Sequence, residues 1–518
     1  MPPPESPAGR MRAMVTPPPV VPLPSSAERS PGAAFRLSDA AALSGDPSAA
    51  AALRRILRAV GAPIGHDADG TTGDIDLVVD GSGAPESYRL VADADGVRIA
   101  GADAAGLFYG VQTLGQLLTR DDDGAWRIPA VRVGDAPRFA YRGVMLDVAR
   151  HFHPVATVEA YIDRAAALKF NVLHLHLSDD QGWRLEIPSR PLLTERASGS
   201  SVGGDGGGFF TQDDYRRIVA YAAARHMTVV PEIDLPGHTH AVSLAYPELA
   251  EQPVLSDHVR DTVRVFGGGL PQHGEPYEGM AVGFSSLRIR EEETYAFLED
   301  VLSDVASLTP GPYLHVGGDE ALGTSAEDFS YAMARATEIV TGLGKTPVTW
   351  HEAGAAPGLA AGTIGQYWGF VTPTDGMDDK TRAFVARGGR VVLSPADAIY
   401  LDMKPSEDFP IGLTWARGAT SLERAYSWEP AEVVGGVGEE NILGVEAPLW
   451  TETVRDLADI DALAFPRIAA AAEAAWSPRT GSHPDRTWDS FRDRAAALVP
   501  LWRSQGVTTA AAEAGGSR

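Results

Sequence analysis

Residues 143–180, GVMLDVARHFHPVATVEAYIDRAAALKFNVLHLHLSDD, decide how this chain folds. They open on a short apolar run and pass into a stretch where Val158, Tyr161, Ile162, Ala165 and Leu168 recur at roughly i, i+3, i+4 spacing. They close on a second apolar run, Val172–Leu177, followed by two acids. The recurrence gives the middle stretch one apolar stripe, as expected of a helix laid on a core, and the flanking runs read as strands. A strand, a helix and a strand in that order form a crossover, which joins parallel neighbours in a sheet.

The same alternation continues downstream from about Arg138. Candidate strands are Gly143–Val148, Val172–Leu177, Thr228–Ile233, Tyr313–Val316, Val348–Trp350, Thr363–Tyr367, Arg390–Leu393 and Ile442–Val445, and Phe297, Val301, Val305 and Leu308 mark another helical stripe. Eight such runs predict an α/β fold, a (β/α)8 TIM barrel. Upstream, the run DIDLVV ending at Val79, the run Tyr88–Ala92 and helical stretches at Ala49–Val60 and Gly101–Leu118 predict a small α+β domain. The expected division is a leader at 1–17, the small domain at 18–136, the catalytic barrel at 137–505 and a flexible tail at 506–518. The leader is rich in proline and lacks the apolar core of a secretory signal, so disorder and a cytoplasmic location are the expectation. The Gly- and Pro-rich interval from Glu251 to Ser286 reads as a long loop at the active-site end, and the Gly-rich insert Gly199–Gly208 carries no evident chemistry.

Bulk composition narrows the function classes. The 518 residues are 44% hydrophobic and 22% charged, and the formal charge of −25, from 44 basic and 69 acidic side chains, repels phosphate backbones and anionic lipid surfaces. Neither a nucleic acid nor a membrane is an expected partner. With no cysteine in the chain, disulfides, thiolate zinc sites and cysteine nucleophiles are excluded. Nothing in the composition calls for a cofactor, and oligomeric state is not encoded in any feature of the sequence.

A barrel of this kind carries its chemistry where the strands end, so the residues around those ends matter most. They are Arg142; Asp179 and Asp180; Asp234 and His238; Asp319 and Glu320; Trp350; Trp368; Tyr400 and Asp402; and Trp450 with Glu452. Tryptophans stack on sugar faces and carboxylates bind hydroxyls, so a carbohydrate pocket accounts for both residue types. The segment His315–Glu320, HVGGDE, ends a strand in two glycines and two neighbouring acids. An Asp carboxylate beside Glu320 disfavours ionising both, which suits Glu320 to proton donation. Neighbours on extended backbone point to opposite sides, however, so the pair is poorly placed to flank a glycosidic bond as acid and nucleophile about 5 Å apart. Another nucleophile is needed.

Two other readings fit some of these residues. His174 and His176, and His238 and His240, stand at a spacing that metal ligands use, which would suit a metal-dependent amidohydrolase on a barrel; no complete ligand set is evident, so structural histidines bonded to carboxylates are the expectation and no metal is assigned. A non-catalytic sugar-binding protein would keep the aromatic pocket but has no need for the acid at Glu320.

Seven blocks in order give the chain a resemblance to glycoside hydrolase family 20, the β-N-acetylhexosaminidases. They are Arg142–Asp147 with Arg150–Phe152, His174–Arg184, Pro231–His238, His315–Glu320, Gln366–Trp368, Tyr400–Met403 and Glu446–Glu452. The resemblance implies a retaining exo-acting enzyme on terminal N-acetylhexosamines, in chitooligosaccharides or glycoconjugates. It implies that the substrate's own acetamide oxygen is the nucleophile, through an oxazolinium intermediate. By the same resemblance Glu320 is the general acid/base, Asp319 orients the acetamide N–H and Tyr400 holds its carbonyl oxygen. Trp350, Trp368 and Trp450 wall the methyl group. Arg142, Asp179, His238, Asp402 and Glu452 face the sugar, with Arg142 at the 3- and 4-hydroxyls. His351 stands where relatives vary.

Overall fold

The computed structural model describes residues 18–70 and 73–509; the expected leader at 1–17 and residues 510–518 of the expected tail lie outside the described residues. In the N-terminal part, a seven-stranded sheet runs in the order Ser26–Arg29, Val131–Asp135, Tyr88–Asp93, Gly96–Gly101, Ile75–Val79, Ala42–Gly45 and His66–Asp67. Helices Pro47–Val60 and Ala104–Gln116 pack on each other, and the second packs against the sheet. Both begin on a capping aspartate: Asp46 accepts from the Ala49 N–H and Asp103 from the Gly106 N–H.

The barrel then closes from eight parallel strands: β1 Tyr141–Asp147, β2 Val172–His176, β3 Thr228–Leu235, β4 Tyr313–Gly317, β5 Thr346–Trp350, β6 Ile364–Tyr367, β7 Val391–Leu393 and β8 Ile442–Ala447, with β8 pairing back onto β1. All eight expected strands are present, each starting within two residues of its expected start. The strands are buried almost throughout, as parallel strands covered on both faces must be. Tyr141, Val172, Val230, Val348, Ile364, Val392 and Leu443, joined by Tyr313, supply one apolar side chain per strand to a plug at the N-terminal mouth. Two residues further along β2, β3, β4 and β6, the inward positions are His174, Glu232, His315 and Gln366, so the layer above the plug is polar.

The structure corrects the reading of Arg142. It sits at the start of β1, at the end of the barrel opposite the expected site, and is 1% exposed. Its guanidinium donates to both Glu86 oxygens at 2.9 and 3.1 Å, to the Phe139 and Lys169 carbonyls at 2.9 Å and to the Tyr109 hydroxyl at 3.1 Å. All five donors are used, and Glu86 and Tyr109 belong to the small domain, so Arg142 joins the domains and cannot reach a sugar in the barrel mouth. Beside it, Lys169 is fully buried and donates to Tyr88 and Asp135 at 2.9 Å, while the Trp476 indole N–H reaches Asp135 at 3.0 Å.

The interval Glu251–Ser286 is mostly loop, but a helix at Asp257–Phe266 interrupts it, capped by the Ser256 side chain on the Val259 N–H. The insert Gly199–Gly208 has a structural purpose: the Arg184 guanidinium donates to the Ser198, Ser200 and Gly208 carbonyls and anchors the loop.

Candidate active site

Beyond β4 the backbone turns through Gly317 and Gly318, both at positive φ. A Cβ on Gly317 would lie 1.6 Å from Asp234 Oδ1, so no larger residue fits there. Glu320 follows at φ 43° and His238, beyond β3, stands at φ 54°. Each non-glycine residue in the left-handed region costs roughly 1–2 kcal/mol, strain that the surrounding packing holds in place. The two residues meet: His238 Nε2 lies 3.4 Å from Glu320 Oε2 and 3.6 Å from Asp319 Oδ2.

Asp179 stands behind His238. Its oxygens accept from His238 Nδ1 at 3.1 Å, His176 Nε2 at 2.7 Å and the Arg150 guanidinium at 2.8 Å. Burial works against ionisation of Asp179, but the Arg150 and His238 charges outweigh it and hold the carboxyl below the usual range. Burial likewise opposes a charge on His238, but the Asp179 and Asp319 carboxylates hold it well above an ordinary imidazole. Arg150, whose guanidinium carbon sits 4.7 Å from the Trp450 ring centre, is the arginine the site possesses. Asp319 is nearly buried, and burial, against the opposing His238 and with the added charges of Glu320 and Glu232, pushes it up to about 6. Glu320 is more open, its side chain 32% exposed.

The opposite wall is aromatic. Trp350, Tyr400 and Trp450 pack in one cluster with Trp368 against it, Trp350 and Trp450 having ring centres 6.0 Å apart and Tyr400 and Trp450 6.3 Å apart. Trp350 is pinned by its N–H to Glu232 at 2.9 Å, and Trp368 by its N–H to Glu352 at 3.0 Å. Burial, with the neighbouring Asp402, raises the Tyr400 hydroxyl well above a free phenol, so it stays protonated and able to donate. Burial also raises Asp402 and Glu452, Asp402 further through Glu452's charge.

Asp319 Oδ1, Asp402 Oδ2 and Glu452 Oε2 of this site are buried with no hydrogen-bond partner in the protein, as are Asp180 Oδ2 and Asp234 Oδ2 at the same end of the barrel. An orphaned buried acceptor costs about 1–3 kcal/mol, and several in one pocket are what a polar ligand would satisfy.

His174 and His176 are tied up by carboxylates, and His240 does not join His238 as a ligand pair. His174 lies between Glu446 at 2.9 Å and Glu232 at 3.1 Å, and His176 between Glu232 and Asp179. Burial opposes their protonation, but these carboxylates push His174 up to about 10 and His176 to about 9. His240 turns away from His238 and its Nε2 meets the Glu275 carbonyl at 2.9 Å.

The structure therefore brings Asp179, His238, Asp319, Glu320, Trp350, Trp368, Tyr400, Asp402, Trp450 and Glu452 to one end of the barrel and leaves Arg142 at the other. Sequence reasoning passed over Arg150, Glu352 and Trp415. Arg150 had a signal, since it lies just past the C-terminal end of β1. Glu352 follows Trp350 on a short 3-10 turn, and burial, then the Asp319 and Glu320 charges, push it up to about 8. Trp415 comes from a loop, is 47% exposed and packs edge-on against both Trp368 and Tyr400.

Comparison with known proteins places the chain in a family. Residues 139–479 match the catalytic domain of glycosyl hydrolase family 20, and residues 17–136 match domain 2 of that family. A β-N-acetylhexosaminidase of Cellulomonas fimi is 42% identical over 423 residues, 80% of this chain and 78% of the relative. A solved glycoside hydrolase family 20 β-N-acetylglucosaminidase is 59% identical with a TM-score of 0.87, covering 96% of this chain and 99% of its own. A mutant Streptomyces plicatus β-hexosaminidase in complex with product (GlcNAc) is 41% identical with a TM-score of 0.86, covering 95% of this chain and 96% of its own.

Proposed function

This chain belongs to glycosyl hydrolase family 20 and is an exo-acting β-N-acetylhexosaminidase, and on that premise we propose how its residues divide the work. The family's course is substrate-assisted: the 2-acetamido oxygen closes on the anomeric carbon, and water later opens the oxazolinium ion with net retention. Glu320 gives its proton to the departing glycosidic oxygen as the C–O bond breaks, then takes one from the incoming water. Asp319, as carboxylate, accepts the acetamide N–H, and the Tyr400 hydroxyl donates to the acetamide oxygen.

Trp350, Trp368 and Trp450 confine the methyl group and so hold the nucleophile beneath the ring. Such preorganisation can lower a barrier by roughly 7–11 kcal/mol in favourable cases. Arg150, backed by Asp179, takes the place among the sugar hydroxyls first expected of Arg142, alongside Asp402 and Glu452. One observation carries this assignment: the buried oxygens of Asp319, Asp402 and Glu452 have no partner in the protein while the Arg142 donors are all used.

The natural substrate is proposed as a chitooligosaccharide or glycoconjugate with a terminal N-acetylglucosamine or N-acetylgalactosamine. A panel of aryl N-acetylglucosaminides, N-acetylgalactosaminides and chitobiosides tests this. Release from the monosaccharide glycosides is expected; release from the chitobiosides alone, as the intact disaccharide, would contradict it.

A further inference from the structure

We propose that His238, Asp319 and Glu320 form a binding site for a zinc-type divalent cation, which blocks the sugar pocket when it is filled. Tetrahedral zinc takes imidazole nitrogen at about 2.0–2.1 Å and carboxylate oxygen at about 2.0–2.2 Å, which sets ligand atoms about 3.3–3.5 Å apart. Here Nε2 of His238 lies 3.4 Å from Glu320 Oε2 and 3.6 Å from Asp319 Oδ2, and one atom from each of the three residues falls within 4.8 Å of the others. Hydrogen-bonded nitrogen and oxygen sit closer, at 2.7–3.2 Å. The spacing leaves room for a small cation between the groups.

The nitrogen faces the two acids at ion-pair distance without a hydrogen bond of its own. His238 is 2% exposed, and its Nε2 has no hydrogen-bond partner in the protein. Its other nitrogen, Nδ1, is tied to Asp179 Oδ1 at 3.1 Å, which fixes the ring so that Nε2 faces the two acids. A carboxylate behind a ligating imidazole is the outer shell that zinc histidines regularly use. Asp319 Oδ1 is also without a partner, and Glu320 at 32% exposure leaves the site open to solvent on one side. A cation entering there displaces the proton associated with the imidazole and uses a fourth position that points into the pocket.

A second cluster of suitable residues, His174, Glu232 and His315, has the same span but is sealed at 0% exposure. Glu232 there already accepts from His176 and from the Trp350 indole. It offers neither an entry path nor a spare carboxylate.

Binding rests on this geometry alone, whereas inhibition rests also on Glu320 being the acid/base proposed above. The test uses the full chain in chelator-free buffer with zinc chloride, reading bound metal by equilibrium dialysis and turnover with an aryl N-acetylglucosaminide. One zinc per chain is expected, displaced by N-acetylglucosamine, with competitive inhibition reversed by a chelator. Glu320→Gln and His238→Ala should each weaken zinc binding by at least about tenfold. His258→Ala, at an exposed histidine on the helix Asp257–Phe266, should leave binding and turnover unchanged. Zinc held equally well by Glu320→Gln and His238→Ala, or no zinc held by the parent chain, overturns the site. Zinc lost in both variants yet harmless to turnover in the parent keeps the site and overturns the role given to Glu320.

Discussion

Arg142 and Arg150 lie eight positions apart, both are buried, both meet carboxylates, and they do opposite things. At the bottom of the barrel every donor of Arg142 is satisfied, and Lys169, Glu86, Asp135 and Tyr109 complete a cluster with no orphaned atom among the described residues. At the top, Arg150 leans on Asp179 and Asp147 while oxygens of Asp319, Asp402 and Glu452 at the same end of the barrel are left unpaired. Burial and charge are shared by the two ends; completeness of pairing is not. A finished network gives up nothing to a ligand and serves the fold, whereas an unfinished one sacrifices stability and is completed by substrate.

That contrast can be broken in several places. The largest effect is expected at the top: Glu320→Gln should lower kcat by about 10^2–10^4-fold while leaving the melting temperature in place, because it removes a proton donor without changing size. A variant that kept its turnover but melted early would put Glu320 with the structural cluster instead. Tyr400→Phe should lower kcat by about 10^2–10^3-fold with little change in KM, since its hydroxyl acts on an oxygen whose charge develops during reaction.

The bottom should answer differently. Arg142→Met strands Glu86 against the barrel and should cost about 3 kcal/mol in urea unfolding, at the low end for a broken buried pair because Glu86 is 22% exposed. Its kcat and KM under folding conditions should match the parent. A raised KM with unchanged stability would return Arg142 to the sugar.

The smallest effect is a slope. Asp319 must be ionised to accept the acetamide N–H, and its acid is pushed up to about 6, so kcat/KM should fall as pH drops through that value. His238, held well above the ordinary imidazole range, remains charged through the same interval and contributes no step there. Asp319→Asn should be slow at every pH and should lose this acid limb. Retention of the limb would assign it to another group.

The barrel was legible because each strand is a short apolar run buried on both faces, and burial of that kind leaves a continuous signature. The helix Asp257–Phe266 was not, since DHVRDTVRVF is short, buries only Val259 and is surrounded by Gly- and Pro-rich loop. Most of the site could be read because the strands deliver Asp319, Glu320 and Trp350 at their own ends. Arg142 was misplaced although strand polarity alone distinguishes it: it opens β1, while Arg150 follows the end of that strand. Trp415 depends on a loop that no periodicity describes, and the orphaned oxygens of Asp402 and Glu452 depend on what fails to meet them in space, which sequence does not record.

The claim beneath all of this is that the nucleophile belongs to the substrate and the pocket exists to hold it. Aryl N-acetylglucosaminides whose acetyl group carries none, one, two or three fluorines differ chiefly in the basicity of that carbonyl oxygen. The first chemical step should slow with every added fluorine; a rate indifferent to fluorination, with a sugar ester found on a side chain of the enzyme, would mean that the protein supplies the nucleophile.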